Sequence, residues 1–361
     1  MEVKDILLDL VAIPSVSSLS NRPVIEYAAQ HLAGWKIKQY PYRDPSGVEK
    51  INLVAATKPG TAELALVCHT DTVPYDAQWT EAVKPVIRGG KLYGRGSCDV
   101  KGFLACVLAA VKQVKAVKPL AVVLTADEEV GCVGAKFLAR KKALRARHMV
   151  IGEPTGLHPV FAGKGYALAE IVVRGKEAHS AFPARGRSAI YDAARVVTAL
   201  ERVAKKLEAK KNPAFDPPFT TLNVGLIHGG TAKNIIAGEC RITVEWRPVP
   251  GQPGGWAAEL IREALAGLRV DATLDVKRLD QAFDPSATQN LLTMVESLTG
   301  REATTVSFGT EAAALSGLTS EAIVFGPGDM TVAHKSGEFV PVKELNECVG
   351  YLVELIGRLC S

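Results

Sequence analysis

The stretch Pro119-Leu-Ala-Val-Val-Leu-Thr-Ala-Asp-Glu-Glu129 runs from apolar, β-prone residues straight into three consecutive acids. With turn chemistry at Gly131, it reads as a buried strand ending in a turn. Three acids at the mouth of such a strand repel one another and lose hydration. A cation must compensate them, or one must keep its proton. Other segments supply matching parts. His69-Thr-Asp71 follows the apolar run Glu63 to Val67, and Asp99 follows Gly94-Arg-Gly-Ser-Cys98. Glu153 follows Met149-Val-Ile151, and His334 lies in a Gly/Pro-rich segment near the C-terminus. Carboxylates and imidazoles at the ends of several strands are the donor set a two-zinc hydrolytic site needs.

Working outward, apolar spacing predicts helices over Val3–Ile13 and Val24–Trp35, and strands at Asn52–Thr57 and Glu63–Val67. A helix is expected to start at Asp99 and run to Val117, with the acid also suited to cap it. Strand Leu120–Thr125, helix Gly134–Leu144 and strand His148–Ile151 follow. Alternating strands and helices imply an α/β layer with a largely parallel sheet. After Pro159 the pattern changes. Strand Tyr166–Val173, helix Ser188 to about Lys210, strands Thr220–Ile227 and Glu239–Trp246, helix Trp256–Leu268 and strand Ala272–Lys277 make a smaller α+β unit. Alternation then resumes with helix Thr288–Leu298, strand Ala303–Val306, helix Thr310–Leu315, strand Glu321–Phe325 and helix Val342–Leu359. The expected division is a discontinuous domain of residues 1–162 and 280–361, interrupted by a domain of residues 163–279.

Composition sets the class. The 361 residues suggest about two domains, and 47% apolar residues suffice for full cores. The net charge of +5 is small. The lysines of Ala204–Lys211 and Arg140–Arg147 interleave with Leu and Ala, not aromatics, so they read as solvated helix faces and no nucleic-acid partner is expected. No run of 18 uncharged apolar residues occurs, so no membrane span is expected. No signal peptide is read at the N-terminus. Seven scattered cysteines without a CxxC pair fit reduced thiols and a cytoplasmic location.

Six segments together resemble the di-zinc aminoacylase and acetylornithine deacetylase family, which includes succinyl-diaminopimelate desuccinylases and glutamate carboxypeptidases. They are Cys68-His-Thr-Asp-Thr-Val-Pro74, Leu92-Tyr-Gly-Arg-Gly-Ser-Cys-Asp-Val-Lys-Gly102, Thr125-Ala-Asp-Glu-Glu-Val-Gly131, Ile151-Gly-Glu-Pro-Thr155, Val173-Arg-Gly-Lys-Glu-Ala-His-Ser180 and Gly326-Pro-Gly-Asp-Met-Thr-Val-Ala-His334. The resemblance implies a zinc-binding α/β catalytic domain interrupted by a lid that usually dimerises.

It also implies roles. Asp99 would bridge two zincs, for which cobalt can substitute; His69 and Glu153 would complete one metal, and Glu129 with His334 the other. Asp71 would accept a bond from the second nitrogen of His69 and fix its tautomer. Glu128 would be general base and later proton donor. His179 would reach the partner subunit's site in a homodimer and stabilise an oxyanion. Asn234 and Arg247 match positions that contact the substrate.

The implied activity is hydrolysis of an N-acyl amino acid. Ser307-Phe-Gly-Thr-Glu-Ala312 looks most like acetylornithine deacetylases of arginine biosynthesis. Two readings of Glu311 stand side by side: a contact for a cationic side chain such as ornithine's, or a first-turn acid behind Thr310 as N-cap. Succinyl-diaminopimelate, acetylcitrulline and general aminoacylase or dipeptidase substrates are the alternatives. A metal-free binding protein on the same fold is the non-enzyme alternative. No G-x-S-x-G segment is present, and Gly94-x-Gly96 lacks the third glycine of a dinucleotide loop.

Overall fold

All six residues of Leu120–Thr125 are buried, as a strand covered on both faces requires. The computed structural model describes residues 2–284 and 290–361. In it Leu120–Thr125 runs parallel to Ala62–His69, with His69 opposite Thr125, and antiparallel to Glu49–Ala56. Ala146–Gly152 lies parallel to Ala62–His69 on its other side, and Thr319–Phe325 lies parallel to Ala146–Gly152. The eight-stranded sheet has the order Lys36–Arg43, Glu49–Ala56, Leu120–Thr125, Ala62–His69, Ala146–Gly152, Thr319–Phe325, Val160–Gly163, Thr304–Val306. Its four central strands are parallel, so their carboxyl ends open on one edge of the sheet.

Lys36–Arg43 was not legible as a strand. Its burial pattern is that of a solvated edge, and Pro41 with the three basic residues Lys36, Lys38 and Arg43 guards it against further pairing. On the core side, helices Val3–Ala12, Lys101–Ala110 and Val342–Cys360 pack together. All ten residues of Lys101–Ala110 are buried, the signature of a helix surrounded on every side.

That helix departs from expectation at both ends. It begins at Lys101 with Val100 as N-cap, and no side chain caps it. Asp99 does not serve as cap because its carboxylate oxygens face imidazoles instead. It stops at Ala110, where Val111 and the polar residues after it turn away. The expected helix Thr310–Leu315 shrinks to Ala312–Leu315, followed by a 3-10 turn Ser316–Leu318. The helix expected from Thr288 is seen as Asn290–Thr299, and its expected first residues lie outside those described. A small sheet of Val86–Arg88, Lys91–Tyr93 and Phe339–Pro341 was also not foreseen.

By contacts the described residues form two compact units. The first runs to Ala162 and includes the later chain up to Thr304 and Thr310–Ser361; the second comprises Gly163–Asp284 and Thr305–Gly309. Within the second unit an antiparallel sheet has the order Thr221–Gly229, Glu239–Arg247, Tyr166–Arg174, Asp271–Asp280. Burial alternates along Glu239–Arg247, so one face packs and the other meets solvent. Helices Ala189–Leu207 and Trp256–Ala266 share one core with that packed face, centred on the buried Trp246. Ser188 caps the first helix by accepting from the Tyr191 amide.

Candidate active site

The parallel strands deliver their terminal residues to one place. His69 is the last residue of Ala62–His69, Glu153 follows Ala146–Gly152, and the acids Asp127–Glu129 follow Leu120–Thr125. Asp99 precedes the buried Lys101–Ala110 helix. Its Oδ1 stands 3.0 Å from His69 Nε2, and its Oδ2 stands 3.2 Å from His334 Nε2. His334 Nε2 is also 3.2 Å from Glu129. Two donor groups result, His69–Asp99–Glu153 and Asp99–Glu129–His334, each with its donor atoms within 4.8 Å of one another. Asp99 belongs to both, with one oxygen toward each imidazole. His334 comes from the loop after Thr319–Phe325, where Gly328 has φ 93° and a side chain would press on Cys98 Sγ. Cys68, the residue before His69, is buried in the core.

Asp71 does something other than expected. His69 Nδ1 lies 3.0 Å from the Asp71 backbone carbonyl, and the Asp71 carboxylate is 3.7 Å away. The carbonyl, not the carboxylate, therefore sets the His69 tautomer. The carboxylate instead accepts the amides of Glu128 at 3.0 Å and Glu129 at 3.2 Å, and the Ser17 hydroxyl at 2.7 Å. It holds the acidic turn from below. The first acid of the turn, Asp127, takes φ 58° and is held from the other side by Lys50 at 3.0 Å and Tyr42 at 2.8 Å. Sequence reading missed Ser17, Tyr42 and Lys50. Their one signal was that three adjacent acids need outside partners, and it named none.

Glu311 is 1% exposed. Its Oε2 accepts from Thr125 Oγ1 at 2.7 Å, and it makes no capping bond to the short helix after it. The N-cap assigned to Thr310 is replaced by Glu311 itself, although Thr310 Oγ1 accepts from the Ala312 amide. The Glu311 carboxylate thus lies beneath the end of a central strand, turned inward.

Charge explains why a metal fits here. Asp71, Asp99, Glu153 and Glu311 are buried, Glu128 and Glu129 nearly so, and the only imidazoles among them are His69 and His334. Burial pushes Glu128 up to about 8, with Glu129 and Asp71 adding repulsion against the pull of His69. Burial likewise drives Glu153 well above the ordinary carboxylate range and Glu311 up to about 7. Hydrogen bonds to Asp99 and Glu129 lift His334 to about 10. Burial opposes a charged His69, but its bond to Asp99 and the surrounding carboxylates outweigh that and raise it. Six acids share this place with two imidazoles, and their oxygens and imidazole nitrogens are the donors that divalent zinc takes. Three protein donors per group leave room for water or substrate.

Residues 65–358 match the model of peptidase family M20/M25/M40. The chain belongs to that family. An acetylornithine deacetylase of Myxococcus xanthus is 47% identical over 98% of this chain and 97% of its own length. One from Proteus mirabilis is 34% identical over 96% of this chain and 94% of its own. Among solved structures, a metallo-carboxypeptidase of Sulfolobus solfataricus superposes with TM-score 0.79 at 18% identity over 99% of this chain and 98% of that one. An aminopeptidase of Bacillus cereus gives TM-score 0.77 at 21% identity, covering 100% and 98%. These last two share the fold. As a member of the M20/M25/M40 peptidase family, the protein is a metal-dependent hydrolase of amide bonds.

The remaining predicted residues sit in the second unit of this M20 fold. His179 ends the short strand Ala178–His179, which pairs with Ile235–Ile236. Asn234 is next to it: its carbonyl accepts the Ser180 amide at 3.0 Å. Both are exposed. Arg247 lies at the far end of the sheet, where Trp246 pairs with Ala167, and its guanidinium stands 4.4 Å from the Tyr166 ring centre. The His179 ribbon instead follows the Arg174 end of Tyr166–Arg174. A nine-residue strand spans about 30 Å at 3.3 Å per residue, so the structure joins His179 to Asn234 and separates both from Arg247.

Proposed function

We propose that this protein removes the acetyl group from an N-acetyl amino acid, N2-acetylornithine first among them, giving ornithine and acetate for arginine synthesis. The supporting observation is the deacetylase-named Myxococcus relative, 47% identical along nearly the whole chain. The donor groups support two zinc ions, which cobalt can replace, held by His69, Asp99 and Glu153 and by Asp99, Glu129 and His334. When bound, such ions supply Lewis acidity that activates water and polarises a carbonyl. Two carboxylates of the turn lie outside both donor groups, Asp127 and Glu128; Asp127 is taken up by Lys50 and Tyr42, which leaves Glu128. Glu128 takes a proton from the attacking water and returns it to the leaving amine. Asp71 fixes where Glu128 and Glu129 stand by binding their amides.

His179 donates to the developing oxyanion, Asn234 supports it, and Arg247 grips the substrate carboxylate. The separation of Arg247 from His179 within one second unit supports a site assembled from two chains. Residues 163–279 then act as a lid and dimerisation domain. Support for a homodimer comes from the second unit's exposed apolar residues: Leu226 and Ile227 on the edge strand, Ile190 and Tyr191 on the helix, and Ile235 beside His179. Among the described residues no helix is long and apolar enough to cross a membrane. All seven cysteines are buried thiols, which suits a reducing cytoplasm.

The test is kcat/KM for acetylornithine, acetylcitrulline and succinyl-diaminopimelate, measured side by side with zinc. Acetylornithine is expected to lead succinyl-diaminopimelate at least tenfold, which takes only about 1.4 kcal/mol of transition-state preference. A preference for the succinylated substrate overturns the substrate assignment.

A further inference from the structure

Glu338 stands four residues beyond His334 and is fully buried, in a chain where a buried carboxylate needs a reason. Its Oε1 accepts two backbone amides, Cys98 at 3.0 Å and Asp99 at 3.1 Å. Its Oε2 lies 2.5 Å from Arg95 Nη1, and that guanidinium is itself 4% exposed. Arg95 Nη2 donates to the Pro74 carbonyl at 3.3 Å, on the loop that follows His69 and Asp71. The Glu338 carbonyl accepts the Gly94 amide at 3.0 Å, and the chain continues into the pairing of Phe339 with Tyr93. The Glu338–Arg95 pair thus ties together three loops: the one after His69, the one ending in Asp99 and the one carrying His334.

We infer that Glu338, braced by Arg95, is a positioning residue that sets Asp99 and His334 in register so that the two donor groups share Asp99. The physical argument is geometric. Asp99 has no capping bond to the helix after it, so the amide bond to Glu338 is what fixes its backbone. A carboxylate accepting two N–H groups and paired to a buried guanidinium has one orientation. Neither Glu338 nor Arg95 is itself a donor to the metal groups. This inference rests on the reading of those groups as metal sites.

The test uses the full chain stripped of metal by chelator and titrated with Zn²⁺ in competition with a chelating indicator. Circular dichroism and thermal midpoint of the metal-free protein are read in parallel. Glu338→Gln keeps the shape and removes the charge that holds Arg95. Its zinc affinity is expected to fall roughly 10- to 100-fold, the usual cost of losing an outer partner of metal ligands. Arg95→Lys, which cannot make the same planar pairing, is expected to lose several-fold in the same direction. Val340→Ala, in the adjacent strand, serves as the comparison for destabilisation alone, with zinc affinity held within about twofold of the unsubstituted chain. Unchanged affinity in Glu338→Gln overturns the inference, as does an equal loss in Val340→Ala. If Glu338→Gln does not fold, unchanged affinity in Arg95→Lys overturns it. If the unsubstituted chain binds no zinc, the reading of the donor groups fails instead.

Discussion

Asp71 meets His69 by a different atom than expected. Its position two after His69 suggested a side-chain bond to the imidazole. The turn delivers the backbone carbonyl there, and the carboxylate is spent on the Glu128 and Glu129 amides. Asp71→Asn leaves one acceptor oxygen for two amides and the Ser17 hydroxyl. Its kcat/KM is expected to fall roughly 10- to 100-fold, with metal content measured alongside. Full activity in that variant means the turn is held by other bonds. Glu128→Gln removes a base and no donor, so zinc content should stay unchanged while kcat falls about 10²- to 10⁴-fold. Loss of zinc from this variant, with retention in Glu129→Gln, reverses the two assignments. The donor residues were legible because carboxylates and imidazoles at strand ends have few other uses. Glu338, Lys50 and Tyr42 were not, because a buried ion pair between segments far apart in sequence leaves no local pattern.

At the scale of elements, the central strands were legible because burial on both faces demands unbroken apolar runs, as in Leu64 to Cys68 and Leu120 to Leu124. Periodicity failed where packing was not what decided the conformation. Lys36–Arg43 pairs through its backbone at a solvated edge and carries no apolar face to announce it. The Lys101–Ala110 helix began two residues late because Asp99 serves imidazoles, not helix amides. Leu66 is fully buried in the middle of Ala62–His69, the strand that places His69. Leu66→Ala is expected to cost about 2–5 kcal/mol of stability, read as a lowered unfolding midpoint. A shift within error would mean that this strand's neighbours collapse into the space without loss.

At the scale of the whole molecule, the metal-free chain carries its own pH signature. Glu128 and Glu311, raised to about 8 and 7, bind protons in the folded chain that the unfolded chain releases near 4.5. Their contribution to stability is full below that value and is lost as pH rises toward 8. His334, raised to about 10, acts in the same direction above its unfolded value near 6.5. The stripped protein should therefore melt progressively lower from about pH 5 to pH 8. Zinc, which takes the place of those protons, should raise the midpoint most at the upper end. A stripped chain that gains stability over that range contradicts this balance of charge. Subunit assembly has its own test. In the proposed dimer, pairing a His179→Ala chain with a Glu128→Ala chain would leave one site with both residues intact. Once subunits are shown to exchange, activity should recover toward half, whereas hybrids as inactive as either parent place His179 outside the partner's site. Dependence of hydrolysis on metals held by two groups that share Asp99 is decided by titrating Zn²⁺ into stripped protein while following acetate release from acetylornithine. Hydrolysis absent without metal and saturating at two equivalents per chain is the predicted result; hydrolysis at full rate by the stripped chain would contradict it.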